Sequence, residues 1–247
     1  MKRAIAAWIC ATLMVVTPAL AQQSCRQALA LGLDVSGSVD AREYRLQLDG
    51  VALALSDASV QEALLAWPDA PVRLMVFEWS GMRDQRVVID WIPLDSEERL
   101  ADVAKRLRAT VKTGAADPAT SIASAMLYGA QALAQHSDCW FKTLDISGDG
   151  PANRGVHPRE VTDAQLGDIV INGLIIGPNG RANTTKNLLN VKTLQDYYQT
   201  FVLRGAGAFA ETAEDYPDFA DAMRRKLLRE IQSPVVSGLS DARPRLQ

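Results

Sequence analysis

The chain has 247 residues, 48% of them hydrophobic and 22% charged, with 26 Lys and Arg against 29 Asp and Glu. This size and composition suit a globular protein of one domain, or two at most, with enough apolar residues for a sizeable core. The slight excess of acid argues against a nucleic-acid partner, which calls for a basic face.

Lys2 and Arg3 precede an apolar run from Ala4 to Val16, followed by Pro18 and Ala19-Leu20-Ala21. This charged, apolar, small-x-small order predicts a secretory signal peptide over residues 1–21. The run is shorter than the roughly 20 residues that cross a bilayer, and no later stretch is long and apolar enough to do so. Cleavage after Ala21 leaves 24 basic residues against 29 acidic ones, a net charge of about −5. The expected location is periplasmic or secreted. Of three cysteines, Cys10 leaves with the signal, while Cys25 and Cys139 remain as one disulfide or as two buried thiols. There is no CxxC, and His136 and His157 are the only histidines, so a zinc site has little support.

Ala28 to Val35 reads as a buried strand and Ala41 to Ala66 as helix in two pieces. Val72–Trp79 and Arg86–Ile92 are strands joined by the short "SGMRDQ", hence an antiparallel hairpin. Ser96 opens a helix to Arg108, with Leu100, Val103, Ala104 and Leu107 at helical spacing. After the loop "TVKTGAADPAT" come a helix over Thr120–Gln135, a strand over Trp140–Ser147 and a short helix over Val161–Leu166. A strand over Asp168–Gly177, a helix over Val191–Phe201, a strand near Gly207–Glu211 and a helix over Tyr216–Ile231 complete a domain spanning residues 22–232. Residues 233–247 read as a loose tail, and the basic cluster Arg224, Arg225, Lys226 and Arg229 as a solvated helix face. The alternation predicts an α/β fold: an open, doubly wound, mainly parallel sheet with one antiparallel edge strand and helices on both faces. In such sheets a site lies beyond the carboxyl ends of the strands.

Asp34, Ser36 and Ser38 stand just there, spaced by two around Gly37. A helix cap accounts for one of the serines, but a carboxylate at a buried strand end is costly unless paired or bound to a cation. Two further loops add Thr120, just before a helix, and Asp149, between two glycines after another strand. Hard oxygen donors without thiol or imidazole suit Mg²⁺ or Mn²⁺.

Together, Asp34-x-Ser36-x-Ser38, Thr120 and Asp149 resemble, in kind and order, the metal-ion-dependent adhesion site of von Willebrand factor A-type domains. The resemblance covers roughly Ala28 to Ile231. "DVSGSVD", "VFEWSG", "SGDG" and "YY…GAGAFA…RRKLLREI" resemble a bacterial exported branch of these domains with no assigned function. The resemblance implies that Ser36 and Ser38 bind the cation through their hydroxyls and that Thr120 binds it directly or through water. Asp34 and Asp149 would act mostly through waters, leaving a position for a carboxylate of a protein partner.

The site departs from the family in Asp117-Pro118-Ala119, a stiffer approach to Thr120 where glycines are common. Asp117 reads as an exposed loop acid and Glu78 as a solvent-facing strand end, with a place beside the metal as the alternative for each. In the strand order of the A-type fold, Cys25 and Cys139 precede parallel neighbours, which implies a disulfide at the edge opposite the metal, provided the Cα atoms lie within about 7 Å. The reading is thus a metal-dependent binding module and not an enzyme. The competing readings are a metal-dependent hydrolase and a structural envelope protein with a stabilising cation. Haloacid dehalogenase-type phosphatases place a second acid where this chain has Ser36, and no G-x-S-x-G is present.

Overall fold

A computed structural model describes the backbone over residues 24–178 and 185–241 and the side chains over 24–178 and 190–232. The signal segment read over residues 1–21 and the last six residues of the tail lie outside the described residues. Among the described residues the elements are β1 (Cys25–Asp34), α1 (Ala41–Ser56), α2 (Ala58–Leu65), β2 (Val72–Trp79), β3 (Gln85–Leu94), α3 (Glu97–Ala109) and α4 (Ile122–Leu133). They continue with β4 (Cys139–Gly148), α5 (Asp163–Leu166), β5 (Val170–Ile176), α6 (Thr185–Phe201), β6 (Ala210–Ala213) and α7 (Phe219–Asp241).

The six strands form one sheet in the order β3-β2-β1-β4-β5-β6. Every pairing is parallel except β2 with β3, whose antiparallel register has a bulge near Val76. The edge position tolerates Pro93, which cannot donate to a ladder. β1 is buried along its whole length because strands flank it and helices cover both faces. Its alternation divides the core. Leu29, Leu31 and Leu33 join the cluster under α1, α3 and α7, while Ala28 and Ala30 join the one under α4 and α6.

Local chemistry sets the boundaries. Asp40 caps α1 by accepting from the amides of Arg42 and Glu43, and Glu43 accepts from the Asp40 amide in return. This capping box satisfies the first orphan donors of the helix. Asp57 splits the long helical stretch by capping α2 through the amides of Ser59 and Val60. Ser96 caps α3 as read. β1 starts at Cys25, earlier than the apolar run suggests, because Cys25 is in register with Cys139 on β4. The two are joined by a disulfide with a Cα–Cα distance of 4.3 Å. α7 continues to Asp241, into the stretch read as a loose tail. A proline removes one helical hydrogen bond without preventing helix on both sides, so Pro234 does not end it.

Lys226 corrects the reading of the basic cluster as a solvated face: it is fully buried. Its ammonium lies 2.6 Å from Asp145 of β4 and 2.5 Å from Glu230 one turn on. Asn172 of β5 donates to the same Glu230 oxygen at 2.6 Å, and Phe209 donates its amide to Asn172. Burial, and then the Glu230 carboxylate, raise the Asp145 pKa, with Lys226 opposing them. Only Arg225 and its neighbours behave as surface charges, Arg225 pairing with Glu211.

Two outcomes follow for the chain from Gln22 onward. Replacing both cysteines by serine should cost about 2–5 kcal/mol in urea unfolding, since the bridge closes a loop of 114 residues in the unfolded chain; the unreduced wild type should show no free thiol. Lys226→Met, which leaves two buried carboxylates facing each other, should cost about 3–5 kcal/mol.

Candidate metal centre

The chain leaves β1 for β2 on one side and later enters β4 on the other, so the winding reverses between β1 and β4. Asp34 closes β1, opposite Trp79 of β2, and Asp149 follows the end of β4. The two acids therefore flank the crevice where open α/β sheets bind ligands.

The Asp34 carboxylate is fully buried. Its Oδ1 accepts the Ser36 amide at 2.8 Å, and its Oδ2 has no hydrogen-bond partner. The Ser36 and Ser38 hydroxyls lie 3.2 Å apart, Ser38 donates to Asp149 Oδ1 at 2.8 Å, and Tyr216 donates to Asp149 Oδ2 at 3.2 Å. Asp34, Ser36, Ser38 and Asp149 thus form one hydrogen-bonded string. Because Asp40 caps α1, neither serine is needed as a helix cap, which removes the competing explanation for these hydroxyls.

Thr120 is buried at the head of the α4 loop, and its hydroxyl is not bonded to the other four residues. Asn153 holds it instead: the Thr120 amide donates to Asn153 Oδ1 at 2.9 Å, and the Asn153 amide donates to the Thr120 carbonyl at 3.0 Å. The Gly37 amide donates to the Pro118 carbonyl at 2.7 Å, tying the threonine loop to the serine loop. The departure at Asp117-Pro118-Ala119 is therefore built into the site.

Glu78 and Asp117 are committed elsewhere. Glu78 accepts from Tyr44 at 2.5 Å and from Arg86 at 2.7 and 3.0 Å, so both of its oxygens are used. Asp117 Oδ1 accepts the Ala119 amide, and its side chain packs over Gly81, where a Cβ would lie 2.2 Å from Oδ2.

Three buried polar groups converge on Gly148. A Cβ there would lie 2.6 Å from the Tyr198 hydroxyl, 3.1 Å from Asp34 Oδ2 and 3.6 Å from the Trp79 ring. The Tyr198 hydroxyl and the Trp79 Nε1, like Asp34 Oδ2, lack hydrogen-bond partners. Asn153, Tyr198 and Tyr216 escaped the sequence reading. Asn153 and Tyr216 lie in polar loops and Tyr198 on α6, so only their spatial neighbours mark them.

The site is electron-rich. No Lys or Arg among the described residues pairs with Asp34 or Asp149. Burial, and then the Asp149 charge, push the Asp34 pKa up to about 7, against the opposing bonds from Ser36. A buried oxygen without a donor, two hydroxyls and a second carboxylate fit a hard divalent cation. Another group, His136, Asp138 and Cys139, does not fit one. Cys139 is consumed by the disulfide, and Arg73 bonds Asp138 at 3.1 Å and His136 at 3.3 Å. His157 accepts the Arg159 amide and packs against Tyr197 and Phe201.

A family model described as "Protein of unknown function (DUF1194)" matches residues 24–235. No curated protein matches the sequence. Among solved structures, a von Willebrand factor type A protein from Catenulispora acidiphila is similar at 13% identity and a TM-score of 0.54, over 84% of this chain and 43% of that one. Proximal thread matrix protein 1 from the mussel byssus, solved with its MIDAS motif occupied by zinc, is similar at 15% identity and a TM-score of 0.53, over 84% and 48%. The conserved hypothetical protein BatB from Bacteroides thetaiotaomicron is similar at 11% identity and a TM-score of 0.53, over 85% and 98%. The chain thus has the von Willebrand A-type fold, and it spans less than half the length of the first two of these proteins.

A raised carboxylate pKa means that the folded chain holds a proton the unfolded chain releases. The stability it confers is full below the ordinary value near 4 and is lost as pH rises through about 7. In chelator, the urea midpoint of the wild type should therefore fall relative to that of Asp34→Asn between pH 5 and pH 8. Parallel pH profiles for the two proteins would remove this account of Asp34.

Proposed function

We propose that this chain, which belongs to the DUF1194 family, is an exported, non-catalytic binding module that captures an acidic group of a protein partner through a Mg²⁺-type cation. The observation that carries this reading is the contrast between two buried acids of one sheet. Asp145 has Lys226 against it. Asp34 has an unpartnered oxygen and a second acid nearby, and no cationic side chain among the described residues pairs with it. A proton or a cation from solution offsets that charge, and the two hydroxyls and Asp149 strung beside it favour the cation.

In this reading Ser36, Ser38 and Thr120 supply hydroxyl ligands, and Asp34 and Asp149 balance charge, chiefly through waters. Neutral hydroxyls leave the ion electron-poor, so a partner's carboxylate gains more from meeting it. The ligand set favours Mg²⁺ or Mn²⁺ over zinc on hardness, and the zinc-occupied motif of the byssus protein supports the metal-binding class. Tyr216 and Ser38 orient Asp149, and Asn153 orients Thr120. A signal peptide over residues 1–21, a single domain over 22–232 and a short tail complete the reading. Among the described residues no helix is long and apolar enough to cross a membrane. A non-catalytic role is supported by the hydrogen bonds of Ser36 and Ser38, in which neither histidine takes part, His136 being bonded to Arg73 and His157 to the Arg159 amide.

Millimolar Mg²⁺ or Mn²⁺ should raise the melting temperature by linkage to the folded state. The rise should be smaller in Asp34→Ala and Asp149→Ala; equal gains in both variants would sink the cation site. Capture of envelope proteins that is lost on chelation would support the binding role, whereas a cation-stabilised fold with cation-independent capture would mark a scaffold.

A further inference from the structure

Beside Asp149, on the side away from Ser38, lies a cavity of about 400 Å³ between the carboxyl end of β5 and α6. Its walls include Pro151, Ile176, Val191, Leu194 and Tyr197, and Asp149 forms part of its rim. Its size falls in the range of small-ligand pockets, about 300–1,000 Å³, and apolar side chains dominate its lining. Val191, Leu194 and Tyr197 recur at intervals of three along α6, so they present one face.

The walls are held in place. Tyr197 accepts the Ala152 amide through its hydroxyl at 3.3 Å, and its ring packs against His157 and Phe201 at 5.6 and 5.3 Å between centroids. Gly177 lets the end of β5 approach α6, since a Cβ there would come within 3.2 Å of Val191 Cγ2 and 2.1 Å of the Glu214 carbonyl oxygen. Leu194 is 8% exposed and sits in the core cluster under α6.

Asp149 belongs to both places, with its oxygens bonded by Ser38 and Tyr216 and the residue among those lining the cavity. A chain whose carboxylate meets the cation thus brings its neighbouring residues, about 3.8 Å apart along the backbone, over an apolar hollow. We propose that this cavity is a specificity pocket for a large apolar or aromatic side chain next to the acidic residue of the partner. This inference rests on the cation-dependent reading above and names the partner's chemistry: a carboxylate flanked by a bulky apolar residue. An acid among polar neighbours would leave the hollow unfilled and gain only the electrostatic contact.

The test uses the exported chain from Gln22 onward, immobilised and challenged with a hexapeptide library carrying one fixed Glu among randomised positions, in Mg²⁺ and in chelator. The expected result is Mg²⁺-dependent recovery, with Phe, Tyr, Trp, Leu or Met enriched about tenfold or more within two residues of the Glu. Val191→Asp, at a half-buried wall position, should lose that enrichment and still recover Glu peptides in Mg²⁺. Leu194→Ala, which removes wall without adding charge, should weaken the enrichment in the same direction. Mg²⁺-dependent recovery without apolar bias, or an unchanged bias in both variants, overturns the pocket and leaves the cation reading standing. If the wild type recovers nothing in Mg²⁺ that it does not recover in chelator, the carboxylate-capture reading falls and the pocket with it.

Discussion

A carboxylate with no exposure, at the end of the central strand of a sheet covered on both faces, is the constraint around which this molecule is arranged. Transfer of an ionised carboxylate into an apolar interior is among the costliest events in folding, and the usual relief is a bound cation, a charged partner or neutralisation. Asp34 meets that cost by accepting the Ser36 amide and by proton uptake above the ordinary carboxylate range. The neighbouring structure follows from it. Gly148 clears the approach of Tyr198 and Trp79, and Asp40 takes over the capping of α1 so that the serine hydroxyls face each other and Asp149.

The other half of the sheet solves the same problem differently. Asp145 lies on the α7 side of β4, and the chain supplies its own cation, Lys226, held between Asp145 and Glu230. Pairs of this kind add little net stability compared with an apolar core, but removing one member leaves a charge stranded. The cluster therefore fixes how α7 lies against β4 and β5. Tyr216, just before α7, reaches Asp149, so the start of the last helix borders the proposed cation site.

The opposite edge is fastened covalently. Cys25 and Cys139 open neighbouring parallel strands in register, at the edge opposite Asp34 and Asp149. With one end stapled and the helices packed on both faces, the loops at the other end are where ligand-dependent change costs least. Even there, hydrogen bonds between Gly37 and Pro118 and between Thr120 and Asn153 hold two of the three loops to their neighbours.

The order of strands and helices was legible in the sequence, because buried strands and amphipathic helices leave periodic apolar patterns in local stretches. The edge hairpin was legible from the short polar segment between two strands, and so was the oxygen chemistry at strand ends, of which the structure joins Asp34, Ser36, Ser38 and Asp149 by hydrogen bonds and leaves the Thr120 hydroxyl apart. The cysteine pair was legible only as a choice until the strand order placed the two side by side. Lys226 was misread, since "RRKLLRE" looks like charge for solvent; its spacing of four to Glu230 turns inward only because Asp145 waits on the sheet. Asn153, Tyr198, Tyr216 and the hollow along α6 have no local signature at all. Local sequence dictates periodicity, caps and the chemistry each loop offers. Which polar atoms end up buried without a partner is decided only when distant segments pack, because burial and pairing are properties of the spatial neighbourhood and not of chain position.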